Sequence, residues 1–224
     1  PLYNIFTSLL KKNCIDITQC KDPKNASLVK ADFIKNLPES YNLLYQYIHY
    51  KNPNPNDWYN YQRKFIISSA VWSITGFLIG LGDRHPGNIM LSNNGEIVHI
   101  DFGYVLGKGR SLPIPEIVDF RFTKNIRRSL GLFEENGLFI YIGTKMINMF
   151  KEYYTMLRGR LEYFALDPFF IKDSDRETFN TLDEMNTFFG ENNTIENTEM
   201  KVYQLILKNK NDDRLGQMFI GWSP

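Results

Sequence analysis

The sequence predicts a mainly α-helical fold with one small β-hairpin set near its middle. Three observations predict it. Apolar residues recur at helical spacing on both flanks, a long apolar stretch occupies 65–81, and two short strand-like runs sit either side of Asn93-Asn94-Gly95.

The elements follow in order. Segments 1–12 and 27–50 read as amphipathic helices, the second with Leu43, Leu44, Tyr47 and Ile48 at helical spacing. Asn52-Pro-Asn-Pro-Asn56 is a turn-rich break. Asp57 is then the expected cap of a long helix running through Trp58, Phe65, Val71 and Phe77 towards Gly80. The runs 89–91 and 97–100 are the expected strands, joined by a tight turn at Asn-Gly. Segment 103–115 is rich in Gly and Pro and is expected to be an exposed loop. Helical periodicity returns over 122–164. Segment 173–198 reads as a helix between loops, and 200–208 as a last amphipathic helix. There is no internal repeat.

Composition narrows the possibilities. With 43% hydrophobic and 15% aromatic residues among 224, the chain can bury a sizeable core and is not a disordered segment. Its 26 basic and 25 acidic residues leave a net charge of +1, which gives no support for a nucleic-acid surface or a polybasic membrane patch. The only cysteines, Cys14 and Cys20, have no partnering His pairs and imply neither a zinc site nor a disulfide framework, so a reducing, intracellular compartment is expected. No signal peptide is expected, because Lys11 and Lys12 follow only a short apolar run. The stretch 65–81 nearly reaches membrane-spanning length. It carries Ser68, Ser69, Ser73, Thr75 and Gly76, so a buried core helix is expected and a transmembrane segment is not. The triplets at Asn25 and Asn192 match the glycosylation pattern, but nothing else points to secretion.

The chemistry gathers around the hairpin. Gly82-Asp83-Arg84-His85-Pro86-Gly87-Asn88 precedes it and Asp101-Phe102-Gly103 follows it. Antiparallel strands return the chain to its starting point, so Asp83, His85, Asn88 and Asp101 are expected to converge. Phosphoryl transfer needs such a set: a group for the attacking hydroxyl and oxygen ligands for Mg²⁺. In protein kinases a catalytic Asp lies five residues before a metal-binding Asn, and a DFG Asp completes the metal site. Asp83 and Asn88 keep that spacing, although the triplet is reordered to Asp-Arg-His. Each piece alone is weak: Asp83 and Arg84 could be a surface ion pair, and a lone His is more often packed or solvated than catalytic. Jointly the seven specified residues would arise by chance in on the order of one chain in ten million of this length.

Gly80-Leu-Gly-Asp-Arg-His-Pro-Gly-Asn88 and His99-Ile-Asp-Phe-Gly103 resemble the catalytic and metal-binding loops of the phosphoinositide 3-kinases and the phosphatidylinositol 3-kinase-related protein kinases (PIKKs). The resemblance implies the C-terminal lobe of a PI3/PI4-kinase-like α+β fold that uses ATP and Mg²⁺. Asp83 then matches the base that receives the substrate hydroxyl proton. His85 matches either that base or a donor to the transferring phosphate. Asn88 and Asp101 match the Mg²⁺ ligands, and Met90 and Ile100 the apolar floor under the adenine, where simple strand core is the plainer role.

Protein and lipid kinases of this group differ after the DFG triplet. Segment 104–113 carries only Lys108 and Arg110, which weighs against a multiply phosphorylated inositide headgroup. It leaves plain phosphatidylinositol open, and Phe102-Gly-Tyr-Val-Leu-Gly107 looks somewhat like that lipid-kinase type. Pro113-Ile-Pro-Glu-Ile-Val-Asp-Phe-Arg-Phe-Thr123 resembles the PIKK stretch P-E-x-V-P-F-R-L-T, with Asp119 in place of Pro and Phe122 in place of Leu. Asp212-Asp-Arg-Leu-Gly-Gln-Met-Phe-Ile-Gly-Trp-Ser-Pro224 resembles a shortened copy of the FATC segment that closes PIKKs. Its plainer role is a helix and apolar tail packing on their own domain.

These likenesses imply a kinase C-lobe at 1–190, with catalytic loop 82–88, metal-binding triplet 101–103 and activation loop 101–123. A FATC-like segment follows at 193–224. The N-lobe, with its Gly-rich loop and strand Lys, is expected to lie outside the chain, which reads as a fragment with weak or no turnover alone. Asn54-Pro-Asn-Asp-Trp-Tyr59 and Gln217-Met-Phe-Ile-Gly-Trp222 resemble the checkpoint (ATR) branch, whereas His85-Pro-Gly-Asn88 resembles the TOR branch. The former implies Ser/Thr-Gln protein substrates, a regulatory protein subunit and nuclear work, with the cytoplasm as alternative. The competing readings are a phosphatidylinositol kinase, a TOR-like growth-control kinase and a pseudokinase scaffold.

Overall fold

The computed structural model describes Asp32, Lys35 and residues 42–167, 175–189 and 196–218. The expected helix at 1–12, both cysteines, both glycosylation triplets and Trp222 lie outside these residues.

Helix α1 (Leu43–Lys51) leads into α2 (Pro55–Leu78), the 24-residue axis of the molecule. The start of α2 differs from the sequence expectation. Asn54 is the cap, its side chain accepting from Asn56 N at 2.9 Å, and Pro55 occupies the first helical position, where its missing N–H costs nothing. Asp57 sits inside the first turn, favourably placed against the helix dipole. Gly80 stops α2 in the left-handed region (φ 56°), with Leu81 N bonded to Gly76 O at 2.8 Å and Gly80 N to Phe77 O at 3.2 Å. Both bonds satisfy carbonyls that the last turn would otherwise leave open.

Strands β1 (Ile89–Leu91) and β2 (Ile97–His99) pair antiparallel, with Met90 opposite Val98. Ile100, expected as the last residue of its strand, falls just past β2, although its N–H still bonds Asn88 O at 3.1 Å. The turn is also wider than the Asn-Gly signal predicted. Ser92 N bonds Glu96 O at 2.8 Å, leaving a three-residue loop in which Gly95 alone has positive φ (96°). That is the three-residue hairpin with a glycine in the left-handed position. A Cβ on Gly95 would lie 2.6 Å from Tyr61 O, so the loop also needs glycine to sit against α2.

The expected helical stretch 122–164 is three helices: α3 (Lys124–Ser129), α4 (Leu138–Glu152) and α5 (Tyr154–Ala165). Gly131 (φ 92°) and a 3₁₀ turn at Glu134–Asn136 separate the first two. Helices α6 (Asp175–Phe189), α7 (Glu196–Asn209) and α8 (Asp212–Gln217) complete the described fold.

Helix α2 packs chiefly on α4, and α4 on α7. Phe65, Ala70 and Ile74 of α2 share one core with Phe122, Phe139 of α4, and Val202 and Ile206 of α7. The apolar stretch 65–81 is thus a core helix, and among the described residues no helix is long and apolar enough to cross a membrane. Although α7 belongs to the segment compared with FATC, its side chains fill the same core as α2. The hairpin leans on α2 through Ile97 N, which donates to Ser68 Oγ at 2.8 Å.

Candidate active site

The end of α2 and the segment after the DFG triplet run side by side. Gly82 N bonds Tyr104 O at 2.7 Å, Leu106 N bonds Ile79 O at 2.8 Å, and Gly107 N bonds Gly80 O at 3.0 Å. These bonds hold 82–88 and 101–103 at one edge of the hairpin.

Arg84 ties them together. It is 1% exposed, and its guanidinium donates to Gly82 O (2.7 Å), Asn88 O (3.4 Å), Ile100 O (2.7 Å) and Asp101 O. A planar fork of donors suits four carbonyls arranged around it, which a lysine could not match. The surface ion pair weighed from sequence is therefore replaced by a buried cross-tie. Burial lowers the Arg84 pKa from its usual value, while the charges of Asp83, Asp101 and Glu116 oppose the shift.

Asp83 and Asp101 both occupy the left-handed region, at φ 57° and 58°. Such residues cost on the order of 1–3 kcal/mol each and persist where their surroundings over-determine them. The surroundings here are explicit. Asn88 Nδ2 donates to Asp83 O at 2.8 Å and to Asp83 Oδ2 at 3.3 Å, and Asp83 N donates to Glu116 Oε1 at 2.8 Å. Asp101 Oδ1 accepts from Gly103 N at 3.1 Å. Asn88 spends its amide nitrogen on Asp83, so Oδ1 is the donor atom it has left for a cation.

His85 caps the 3₁₀ turn Pro86–Asn88, its Nδ1 accepting from Gly87 N at 3.0 Å. A nitrogen that accepts this bond carries no proton, so the neutral ring bears its proton on Nε2. Nε2 lies 3.9 Å from Asp83 Oδ2. In this tautomer Nε2 is a hydrogen-bond donor.

The hairpin presents two faces. On the inner one Ile97 is buried and His99 stacks on Trp72 (centroids 4.7 Å apart, planes 9° apart), with Phe102 beside it at 6.1 Å. Burial, together with the positive charge of Arg84, lowers the His99 pKa to about 4. On the outer face Met90 is 52% and Ile100 42% exposed, together with Val98. The plainer strand-core role does not apply to them.

Among the described residues no group of three or more His, Cys, Asp or Glu side chains could hold a metal ion. Mg²⁺ does not need one, since it is commonly held by one or two carboxylates or amides with water and phosphate completing its shell. The hard oxygens of Asn88 and Asp101, on loops joined through Arg84, suit it.

The segment after the triplet is the exposed loop expected only in part: Gly103, Tyr104 and residues 113–115 are exposed, but its middle is not. Leu106 is 1% exposed, Gly107 and Gly109 are buried, and Leu106 packs with Leu182 and Met185 of α6. Arg110 makes two bonds to Glu184, at 2.8 and 2.6 Å, and lies 3.9 Å from Glu177. Asp119, the departure from proline, becomes an anchor. Its N–H and that of Phe120 donate to Asn209 Oδ1, and its carboxylate takes Lys208 Nζ at 2.8 Å. Proline could not supply that N–H. Val118 packs with Leu215 and Met218 of the terminal segment. Sequence reasoning included Glu116 only as the Glu of the P-E-x-V likeness, without a role, and did not single out Asn209; their partners lie 33 and 90 positions away, where no local signal points.

Comparison with known proteins agrees with this architecture. Residues 2–171 match the model of the family described as phosphatidylinositol 3- and 4-kinase. The chain belongs to that family. Serine/threonine-protein kinase MEC1 of Eremothecium gossypii is 31% identical over 187 residues, covering 81% of this chain and 8% of the relative. Serine/threonine-protein kinase SMG1 of Danio rerio is 35% identical over 143 residues, 62% of this chain and 4% of the relative. Serine/threonine-protein kinase TEL1 of Saccharomyces cerevisiae is 28% identical over 205 residues, 77% of this chain and 7% of the relative. The chain thus spans under a tenth of the length of these relatives. They are PIKKs, as the motifs implied. The FAT and kinase domain of CtTel1 superposes with a TM-score of 0.76 at 23% identity, over 90% of this chain and 15% of that one, which establishes the kinase-lobe fold.

Proposed function

We propose that this chain carries the catalytic and metal-binding loops of a PIKK-type serine/threonine protein kinase, which transfers the γ-phosphoryl group of ATP to protein hydroxyls. The observation that carries the reading is the cross-tie: Arg84 grips the backbone of Asn88, Ile100 and Asp101, while Asn88 holds Asp83.

The roles are those the family resemblance implies for these positions. Asp83 is the base that receives the hydroxyl proton. His85, with its proton on Nε2, donates to the transferring phosphate. Asn88 Oδ1 and the Asp101 carboxylate hold Mg²⁺, which when bound neutralises phosphate charge. Met90 and Ile100, on the open outer face of the hairpin, supply apolar surface beneath the adenine.

Two observations favour protein over lipid as the acceptor. The relatives reported above are named serine/threonine-protein kinases. Arg110, one of the two basic residues after the triplet, is engaged with Glu184 on α6 and so is ill placed to receive an anionic headgroup. The similarity to MEC1 favours the checkpoint branch, with Ser/Thr-Gln substrates, DNA-damage signalling in the nucleus and a regulatory protein subunit. The segment from 193 onward is assigned to a FATC-like closure, supported by the packing of Leu215 and Met218 on Val118.

The test is phosphoryl transfer from ATP-Mg²⁺ by the natural full-length protein, offered a Ser-Gln peptide and phosphatidylinositol vesicles side by side. Peptide labelling that disappears in D101A is the expected result. Lipid labelling without peptide labelling would overturn the protein-kinase reading in favour of a phosphatidylinositol kinase. Labelling of neither would leave a scaffold.

A further inference from the structure

We propose that Glu116 is a positioning residue for the catalytic loop, a strut from the segment after the DFG triplet that fixes the backbone of Asp83. This inference rests on the kinase reading above and adds a residue to it.

Asp83 sits in the left-handed region, where a non-glycine residue stays only under restraint. Asn88 restrains it from one side, through its carbonyl and carboxylate. Glu116 restrains it from the other, taking the Asp83 N–H on Oε1 at 2.8 Å. When ionised, a carboxylate makes one of the stronger hydrogen bonds a backbone N–H can form.

The slot that admits the carboxylate is built for it. Gly82 and Gly109 form its walls, and a Cβ added to either would collide with Glu116 Oε2. The walls approach each other closely, since a Cβ on Gly82 would also lie 2.9 Å from Gly109 Cα. Glu116 is tethered on its own backbone, with Glu116 N bonded to Gly109 O at 3.1 Å. Burial raises its pKa to about 7, against the pull of the Asp83 and Arg84 N–H groups and the Arg84 charge.

The strut also has a far end. Ile117 N donates to Met218 Sδ at 3.5 Å, and Val118 packs on Leu215 and Met218. The seating of α8 is therefore two residues from Glu116, and Glu116 is one hydrogen bond from Asp83. Segment 116–118 links the terminal helix to the catalytic loop through contacts alone.

Three substitutions in the natural full-length protein separate reach from charge. E116Q keeps an oxygen at the same reach and loses the charge, whereas E116D keeps the charge and loses a methylene of reach. E116A loses both. The expected result, read as peptide phosphorylation, is E116Q within about 3-fold of wild type in kcat, with E116D and E116A lower by about 100-fold. The KM for ATP is expected to stay within about 3-fold in all three, because the nucleotide face is untouched. G109A is expected to reproduce the kcat loss by pushing the carboxylate out of its slot. Wild-type kcat in E116D, or E116Q as impaired as E116A, would overturn the strut. A wild-type protein that labels neither peptide nor lipid would sink the kinase reading itself, a result distinguishable from either.

Discussion

The loops at the hairpin and the segment that follows them are held by opposite means. Loops 82–88 and 101–103 are fixed from within, chiefly by backbone bonds and by Arg84, whose partners Gly82, Asn88, Ile100 and Asp101 lie within 17 positions. Segment 104–123 is fixed from outside. It depends on Glu184 of α6, on Lys208 and Asn209 of α7, and on Met218 beyond α8. A knot tied mostly within itself takes its geometry largely from its own residues, with Tyr104 and Glu116 as its ties to the next segment. A segment pinned from outside inherits its path from whatever packs on it, and so is the part that another element can adjust.

Substitutions that separate chemistry, knot and anchors would break or sharpen this contrast. The largest effect is expected at the chemistry itself: D101A should lower phosphoryl transfer by more than about 1,000-fold while the melting temperature stays within a few degrees. Melting together with loss of transfer would mean that Asp101 supports the fold as well. Next comes the knot. R84M removes a donor from four carbonyls, of which Asn88 O keeps the Ile100 N–H, and should cost about 3 kcal/mol or more, read from denaturant midpoints. R84K should fare little better, since a single ammonium cannot span the fork. Full stability in R84K would show that charge, and not fork geometry, holds the loops.

The inner face of the hairpin should report through pH. His99 is held neutral in the fold, with its pKa lowered to about 4 by burial and by Arg84. The unfolded chain takes up a proton below about 6.5, so this contribution is complete above that pH and is lost as pH falls towards 4. At about 1.4 kcal/mol per pKa unit it amounts to roughly 3–4 kcal/mol. H99F, which preserves a ring against Trp72, should flatten the stability profile between pH 6.5 and 4, and an unchanged acid limb would refute the assignment.

Smaller effects belong to the outside anchors. N209A removes the acceptor for two backbone N–H groups and should cost about 2 kcal/mol. R110A breaks a partly exposed pair with Glu184 and should cost under about 1 kcal/mol. If R110A proved as costly as N209A, the contact with α6 would be the principal anchor of the segment.

Legibility in the sequence follows the same division. The helical flanks, the hairpin and the meeting of Asp83, Asn88 and Asp101 were readable, because periodicity and a fixed spacing across one hairpin are local properties. Details failed where neighbours intervened. Asn54 captures the cap of α2 ahead of Asp57, because Pro55 pre-sets the first helical turn. The Asn-Gly signal yields a three-residue loop, because Gly95 must fit against Tyr61. Segment 103–115 looked like solvent-exposed loop by composition, yet Leu106 is buried under α6.

The mainly α architecture, the position of the hairpin and the approach of Asp83 to Asn88 at its base are written in the chain alone. These depend on residue periods and on separations of a few residues, which the backbone converts directly into proximity. That Arg84 is a buried tie, that His85 Nδ1 accepts from Gly87 N, and that Asp119 serves as an anchor emerge only from the folded chain. The burial of Arg84, the slot for Glu116 and the meeting of Asp119 with Asn209 depend on which surfaces the folded chain brings together. Closing a loop of tens of residues costs little more than closing a short one, so separation along the chain gives no sign of such partners.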